Sequence, residues 1–455
     1  MSVSARDPYL ALRYPAYRRY LPGHVLSNIG RQGLAVAAAW QIYEWTKSAT
    51  ALGLVGLVQV IPIIFFSLPG GALADRFDRR RVITRCMMIS TVFSLVLAAV
   101  SFRPGLVPDH ALLREGNELL RDIALLFEKQ VDPATLHFDQ PALPVLYVLL
   151  FLHAVVRVLA NPSRAAIVPQ LIPSSAVSNA ITWNSSLFEL STVIGPGIAG
   201  VLVHFWGYTP VYALDAVFSA VLALSMLGVR LEYLNGSARR AAVGMWAGLE
   251  FIWRHKPILA AVTLDLVAVV LGGVTALLPI YADRILHIDS IGLGALRAAP
   301  AIGAIIMAMV VVRLPPARRP GLYMLWSVAG FGAAIGLFSL STSFWLSLVA
   351  LLLSGACDNY SVVVRHSLVQ LLTPDELRGR VSGVNQLFVG CSNELSSLRA
   401  GLTAALIGPV LAASTGGLGA IAVTLAIALI FPVLRTLPPL HTLQPAADDP
   451  AGLDD

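Results

Sequence analysis

Twelve times along the chain an apolar stretch of roughly 20 residues is set off by polar or turn-forming residues, and a stretch of that length crosses the hydrocarbon core of a bilayer as an α-helix. The stretches span 21–46, 49–74, 82–102, 143–161, 178–205 and 209–229, then 258–282, 291–313, 321–340, 344–372, 381–411 and 416–434. Of 455 residues only 13% are charged and 56% are hydrophobic, whereas soluble domains carry about a quarter charged. The solvent for such a surface is lipid. The expected fold is an all-α membrane protein with 12 transmembrane helices in two pseudo-symmetric six-helix bundles.

Charge and breakers divide the chain into a leader (1–20), a first bundle (21–229) with an insert at 103–142, a linker (230–257), a second bundle (258–435) and a tail (436–455). The leader carries Arg6, Arg13, Arg18 and Arg19 without a cleavable signal pattern, so it is expected to be retained. With both termini inside, twenty-one Lys and Arg fall on the cytoplasmic side and six outside, the asymmetry that fixes orientation during insertion. Gln170-Leu171-Ile172 recurs as Gln370-Leu371-Leu372, and Leu187-Phe188 as Leu387-Phe388, at one constant offset. Related parallel halves with a substrate site between them are one known transporter plan.

Two segments read as helices that do not cross. In 108–130, Leu112, Leu119, Leu120, Ile123 and Phe127 fall near one helical face, which predicts an amphipathic helix at the outer surface. Residues 241–255, with Trp246, Leu249, Phe251 and Trp253, predict a second along the inner interface, tethering the halves. Trp40, Tyr43, Trp45, Trp206 and Tyr208 lie at predicted outer helix ends and are expected to be interface anchors. Cys86, Cys357 and Cys391 are scattered through apolar runs, which suggests neither a disulfide framework nor a metal site. No Walker loop and no Gly-x-Ser-x-Gly or zinc-protease signature occurs, so neither direct ATP drive nor an enzyme is expected. The net charge of +6 follows the loops and does not imply nucleic acid.

Between the second and third stretches the chain reads Gly70-Gly71-Ala72-Leu73-Ala74-Asp75-Arg76-Phe77-Asp78-Arg79-Arg80-Arg81. Small residues there allow close helix approach. An acid at a helix end beside a basic cluster makes an ionic latch that a rocking motion must break. Gly71, Asp75, Arg76, Arg79 and Arg80 stand as in the signature loop of the major facilitator superfamily, and the chain resembles that family. The resemblance implies its fold and a gate in which Asp75 and Arg76 stabilise the outward-facing state against the fourth and eleventh crossings. Asp78 departs from the family's usual Gly. Gly195-Pro196-Gly197-Ile198-Ala199-Gly200 resembles the antiporter signature of the family's exporters, with Ala199 in place of a second Gly; Gly195, Pro196 and Gly200 carry it. Pro162-Ser163-Arg164 and Pro374-Asp375-Glu376-Leu377-Arg378-Gly379-Arg380-Val381 are similar to the exporter branch that includes tetracycline-, macrolide- and enterobactin-type exporters.

Ionisable groups at bilayer depth cost several kcal/mol unless paired or wet. Arg31, Arg157, Glu189, Asp265, Asp358, Glu394 and Arg399 lie inside the apolar stretches and are the candidate coupling and substrate residues. A carboxylate whose proton affinity responds to burial and to a nearby arginine couples transport to protons, and Arg31 with Asp265 or Glu189 is the expected switch. A static pair that only locks packing is the alternative, and for Arg365 a structural pairing with its own or a neighbouring helix is expected. Asn28, Trp183, Asn184 and Asn385 are among the side chains expected near the substrate.

The functional expectation is a monomeric secondary transporter of the bacterial inner membrane, without cofactor or metal. It would export a small amphipathic molecule, a drug or siderophore, by proton antiport. A lipid flippase or organic-anion transporter of the same fold, and a non-transporting receptor, are the rivals.

Overall fold

The structure, a computed structural model, describes residues 7–108, 110–229, 245–313 and 317–442. Among these every regular element is helical. The first half comprises α1 (Pro15–Thr46), α2 (Ala49–Arg76), α3 (Arg79–Phe102), α4 (Ala111–Phe127), α5 (Ala142–Leu171), α6 (Ser174–Trp206) and α7 (Thr209–Leu227). The short α8 (Met245–Arg254) leads to α9 (Lys256–Gly272), α10 (Ser290–Arg313), α11 (Pro320–Leu340), α12 (Phe344–Leu372), α13 (Asp375–Ile407) and α14 (Pro409–Ile430). Proline occupies the first or second position of α1, α7, α9, α11 and α14, where its fixed φ suits a helix start and its missing N–H costs nothing.

Twelve of these helices are long, α9 being counted with the short helical turns that carry it past Gly273 to Ile285. Ten are long and apolar enough to cross a membrane by length and composition. The other two, α1 and α13, hold Arg31, Gln32, Gln41 and Glu44, and Asn385, Asn393, Glu394 and Arg399 respectively. Several of these polar side chains are satisfied inside their own halves, Gln41 by Ser101 and Tyr212, and Asn385 by Arg365. Three expected boundaries move. α5 continues past Pro162 and Pro169 to Leu171, ten residues beyond its expected end, since packed neighbours in a bundle tolerate proline. α9 breaks at Gly273. The last two helices divide at Gly408, whose φ of 86° only glycine adopts freely, and not after Leu411.

The face of the molecule that carries α4 joins the two halves; we call it the insert face, and the opposite one, with the turn at Phe77–Asp78, the loop face. Tyr43 Oη and Lys47 Nζ donate to Asp283 Oδ2 at 3.0 and 3.1 Å, Arg284 Nη2 donates to the Lys47 carbonyl at 3.0 Å, and His204 meets Asp289 at 3.1 Å. Ser290 Oγ donates to the Gly200 carbonyl at 3.0 Å. A Cβ on Gly200 would lie 2.5 Å from the Ser290 carbonyl oxygen, and one on Gly56 2.5 Å from that of Glu394. The α6–α10 and α2–α13 contacts therefore have backbones touching. On the loop face, among the described residues, no hydrogen bond or ion pair joins the halves.

The insert helix forms where expected, but its leucines divide. Leu120 and Phe127 pack on the core, whereas Leu112 and Leu119 are exposed. Beyond it Glu128 is buried, its Oε1 accepting from Ser48 Oγ at 2.8 Å and Thr50 N at 3.1 Å, while Lys129 N donates to the Ala405 carbonyl at 2.9 Å. The insert thus laces the start of α2 to the end of α13. Trp40 and Tyr43 are buried here, engaged with Glu44 and Asp283; they are not interface anchors, because the second half covers them. Trp206 is exposed, as an anchor requires. Of the linker helix, 241–244 and the Trp246 side chain lie outside the described residues. Phe251 and Ile252 pack on Val381 and Val384 of α13, so the described part of α8 packs on the second half.

Candidate functional site

The gate loop is built in the first half. Asp78 caps α3, its Oδ1 accepting from Arg80 N at 2.9 Å. Its φ is −57°, so the turn has no need of glycine, and the departure from the family pattern supplies a cap. Arg79 Nη1 donates to the Ala166 carbonyl of α5 at 2.9 Å, and Arg80 Nη1 to the Val229 carbonyl after α7 at 2.8 Å. These two arginines anchor the loop. Asp75 and Arg76 are exposed and hold no bond or ion pair among the described residues. The side chains of Asp375 and Glu376, at the start of α13 on the same face, lie outside those residues. Close approach belongs to Gly70, whose Cβ would meet the Val158 carbonyl at 3.0 Å, and not to Gly71, which has open space around it. Gly195, Pro196 and Gly200 lie where α6 passes α1 and α10: a Cβ on Gly195 would stand 2.7 Å from the Ile29 carbonyl.

At mid-depth the halves meet through charge. Arg157 of α5 reaches Glu394 of α13 at 3.7 Å, both side chains mostly buried. Arg31 of α1 stands over the Phe188 ring at 5.9 Å, within the electrostatic reach of Arg157, Arg164 and Glu394. The acids within reach of Arg31 are Glu394 and Asp215; among the described residues neither Asp265 nor Glu189 pairs with it. Arg164, on the buried side of α5, donates to His24 Nδ1 at 3.2 Å and Asn28 Oδ1 at 3.5 Å.

Asp265 is engaged elsewhere. It binds Arg365 at 2.8 Å within the second half, both side chains nearly inaccessible, and Arg365 also donates to Asn385 at 3.2 Å. This is a neighbouring-helix pairing. Arg399 donates to three backbone carbonyls, Val270 and Gly273 at 3.2 and 3.0 Å, which are left free where α9 breaks, and Ala412 of α14 at 3.2 Å. A cavity of about 180 Å³ inside the second half is lined by Asp358, Asn393 and Ser396 together with Arg297 and Phe331. Asp358 has no hydrogen bond or ion pair among the described residues and feels both Asp265 and Glu189. Trp183 and Asn184 hold the leader, through the Pro8 carbonyl at 3.0 Å and Tyr17 Oη at 3.0 Å.

Three groups escaped sequence reading. Arg297 of α10 reaches the cavity and lies within reach of Glu394; as a charge inside the second apolar stretch of its half, it was open to the same argument as Arg157. His153 and Asp215 form a buried pair at 3.4 Å, with Ser94 Oγ donating to Asp215 at 2.6 Å. Glu128 sits in a charged segment where nothing marks one acid from the next.

Two bundles joined at one face, with a charged interface at mid-depth, define a membrane transporter that works between halves. Residues 20–397 match the Major Facilitator Superfamily, and the chain belongs to it. Among curated relatives it is 25% identical to the "Enterobactin exporter EntS" of Shigella boydii serotype 18 and of Escherichia coli O139:H28, over 93% of each chain. Among solved structures it is similar to a bacterial homolog of the human lysosomal transporter Spinster in an inward-facing, unoccupied conformation (TM-score 0.65, 14% identity, covering 95% of this chain and 99% of that one). A bacterial homologue of the iron transporter ferroportin, in an inward-facing state, gives a TM-score of 0.61 at 16% identity, covering 92% and 98%. The protein is thus a multi-pass membrane transporter with a small-molecule substrate, of the major facilitator fold.

Proposed function

We propose that this protein is a proton-coupled exporter of a small amphipathic molecule, a drug or siderophore. It would work as a monomer in a bacterial inner membrane, with both termini cytoplasmic. The observation that carries this reading is the Arg157–Glu394 contact between the halves, lying beneath a bonded insert face and above a loop face that shows no cross-half bond among the described residues. Such a pair must break when the halves rock, and a carboxylate that loses its arginine partner takes up a proton more readily. The unpaired Asp75 and Arg76 are the gate on the open face, ready to find partners when it closes. Relatives named as enterobactin exporters over nearly the whole chain support the direction, as does the Gly195, Pro196 and Gly200 kink, of which Pro196 and Gly200 touch the second half.

A second reading is favoured by one observation. Arg31, Arg157 and Arg297 lie within electrostatic reach of one cross-half acid, Glu394, and Arg164 lies within reach of Arg31, an excess of cations that suits an organic anion of either transport direction.

The test is proton release in inverted vesicles, followed with a pH-sensitive dye, on addition of lipophilic cations and catecholate siderophores. Release on substrate addition that is lost in Glu394→Gln supports antiport. Silence with every compound, from protein that remains folded, sinks it.

A further inference from the structure

We infer that the interface between the halves takes an aromatic molecule bearing two acidic groups, one held by Arg157 and the other by Arg164, and that Glu394 occupies the first of these places when no ligand is bound. The inference rests on the transport reading above and gives its substrate a chemical class.

Arg157 and Arg164 lie seven residues apart on α5, two helical turns, so they share one face with a rise of roughly 10 Å between them. Arg164 is 9% exposed, and its Nε has no partner. Its other bonds go to the neutral acceptors His24 and Asn28, and no carboxylate pairs with it among the described residues. A buried guanidinium without a counter-anion is costly, and an incoming acid relieves that cost.

Arg157 is only loosely paired. Its 3.7 Å contact with Glu394 is long for a charge-assisted hydrogen bond, which closes to about 2.7–2.9 Å. The Arg365–Asp265 pair in the same protein reaches 2.8 Å, so the chain can build a tight pair where one is needed. Arg31 has no carboxylate at ion-pair distance and rests over Phe188, whose ring is 40% exposed. Asp215, the remaining acid within reach of Arg31, is engaged by Ser94 and His153. Arg31 and Arg157 thus share the Glu394 carboxylate while Arg164 has none among the described residues, and the Phe188 ring beside Arg31 offers an aromatic face for a ring to stack on. A diacid satisfies Arg164 and displaces Glu394 from Arg157, and that displacement frees the second half to move.

The experiment is calorimetric titration of the full-length protein in detergent micelles with biphenyl-4,4′-dicarboxylate, its monomethyl ester and tetraphenylphosphonium. The diacid is expected to bind at least about tenfold more tightly than the monoester. Arg164→Gln should erase that preference while Arg164→Lys keeps much of it, and Glu394→Gln should tighten the diacid by removing its competitor. Equal affinity for diacid and monoester, an unchanged preference in Arg164→Gln, or binding of the phosphonium alone overturns the inference, as does an absence of diacid binding. No gradient exists in micelles. A diacid preference without proton release in vesicles would therefore end the export reading and leave the site standing, and the reverse result would end the site alone.

Discussion

The protein contains two buried arginine–carboxylate pairs that differ in almost every respect. Arg365–Asp265 lies within the second half at 2.8 Å, its side chains 3% and 6% exposed, with Asn385 as a further acceptor. Arg157–Glu394 crosses between the halves at 3.7 Å, with both side chains 18% exposed. The first is dry, short and internal to one rigid body, which is what a packing lock requires. The second is wetter, longer and split between bodies that must separate. Under the proposed mechanism, location relative to the interface between the halves, rather than depth in the bilayer, separates a structural charge from a working one.

That contrast can be broken in order of effect. Asp265→Ala leaves Arg365 buried and alone, and should cost about 3–5 kcal/mol, read as a loss of folded yield and a lower melting temperature in detergent. If Asp265→Ala melts like the parent, the lock does not exist. Gly200→Val should come next, because its first carbon already meets the Ser290 carbonyl at 2.5 Å. Overpacking of about 1–3 kcal/mol would fall on the conformation closed at the insert face. Increased labelling of a cysteine introduced at the insert face, as in Trp206→Cys, by a membrane-impermeant thiol reagent is the expected readout.

Arg157→Gln should lower transport about tenfold, on the order of 1.4 kcal/mol, with a melting temperature that moves less than that of Asp265→Ala. Equal damage to stability and transport would erase the distinction between the pairs. Asp283→Asn should act least. Lys47 and Asp283 are 34% and 38% exposed, and such pairs contribute about 0.2–1 kcal/mol. A small shift toward the conformation open at the insert face, weakened further by salt, is expected from the same labelling assay.

Which parts of this were legible in the sequence follows the physics of each feature. The membrane crossings were legible because lipid imposes composition on every residue it touches. The turn between α2 and α3 was legible because its chemistry is local: Asp75 through Arg81 lie together in sequence, and Asp78 can be read as a cap two residues before Arg80. The charges at bilayer depth were visible as a set, Arg31, Arg157, Glu189, Asp265, Asp358, Glu394 and Arg399 among them, yet their partners were not. Sequence reasoning gave Arg31 to Asp265 or Glu189, whereas Asp265 belongs to Arg365, and Arg399 is bound to backbone carbonyls where α9 breaks. Helix pairing sets those partners, through close contacts such as Gly56 with α13 and Gly200 with α10.

The sequence by itself therefore determined the solvent, the number of long helices and the inventory of buried charge, since transfer from water to lipid is a property of each residue and its near neighbours. Only the tertiary structure decided which charge meets which. Asp265 and Arg365 are brought to 2.8 Å, and Arg157 and Glu394 to 3.7 Å, across separations of 100 residues or more. Coulomb energy depends on distances that no local pattern records.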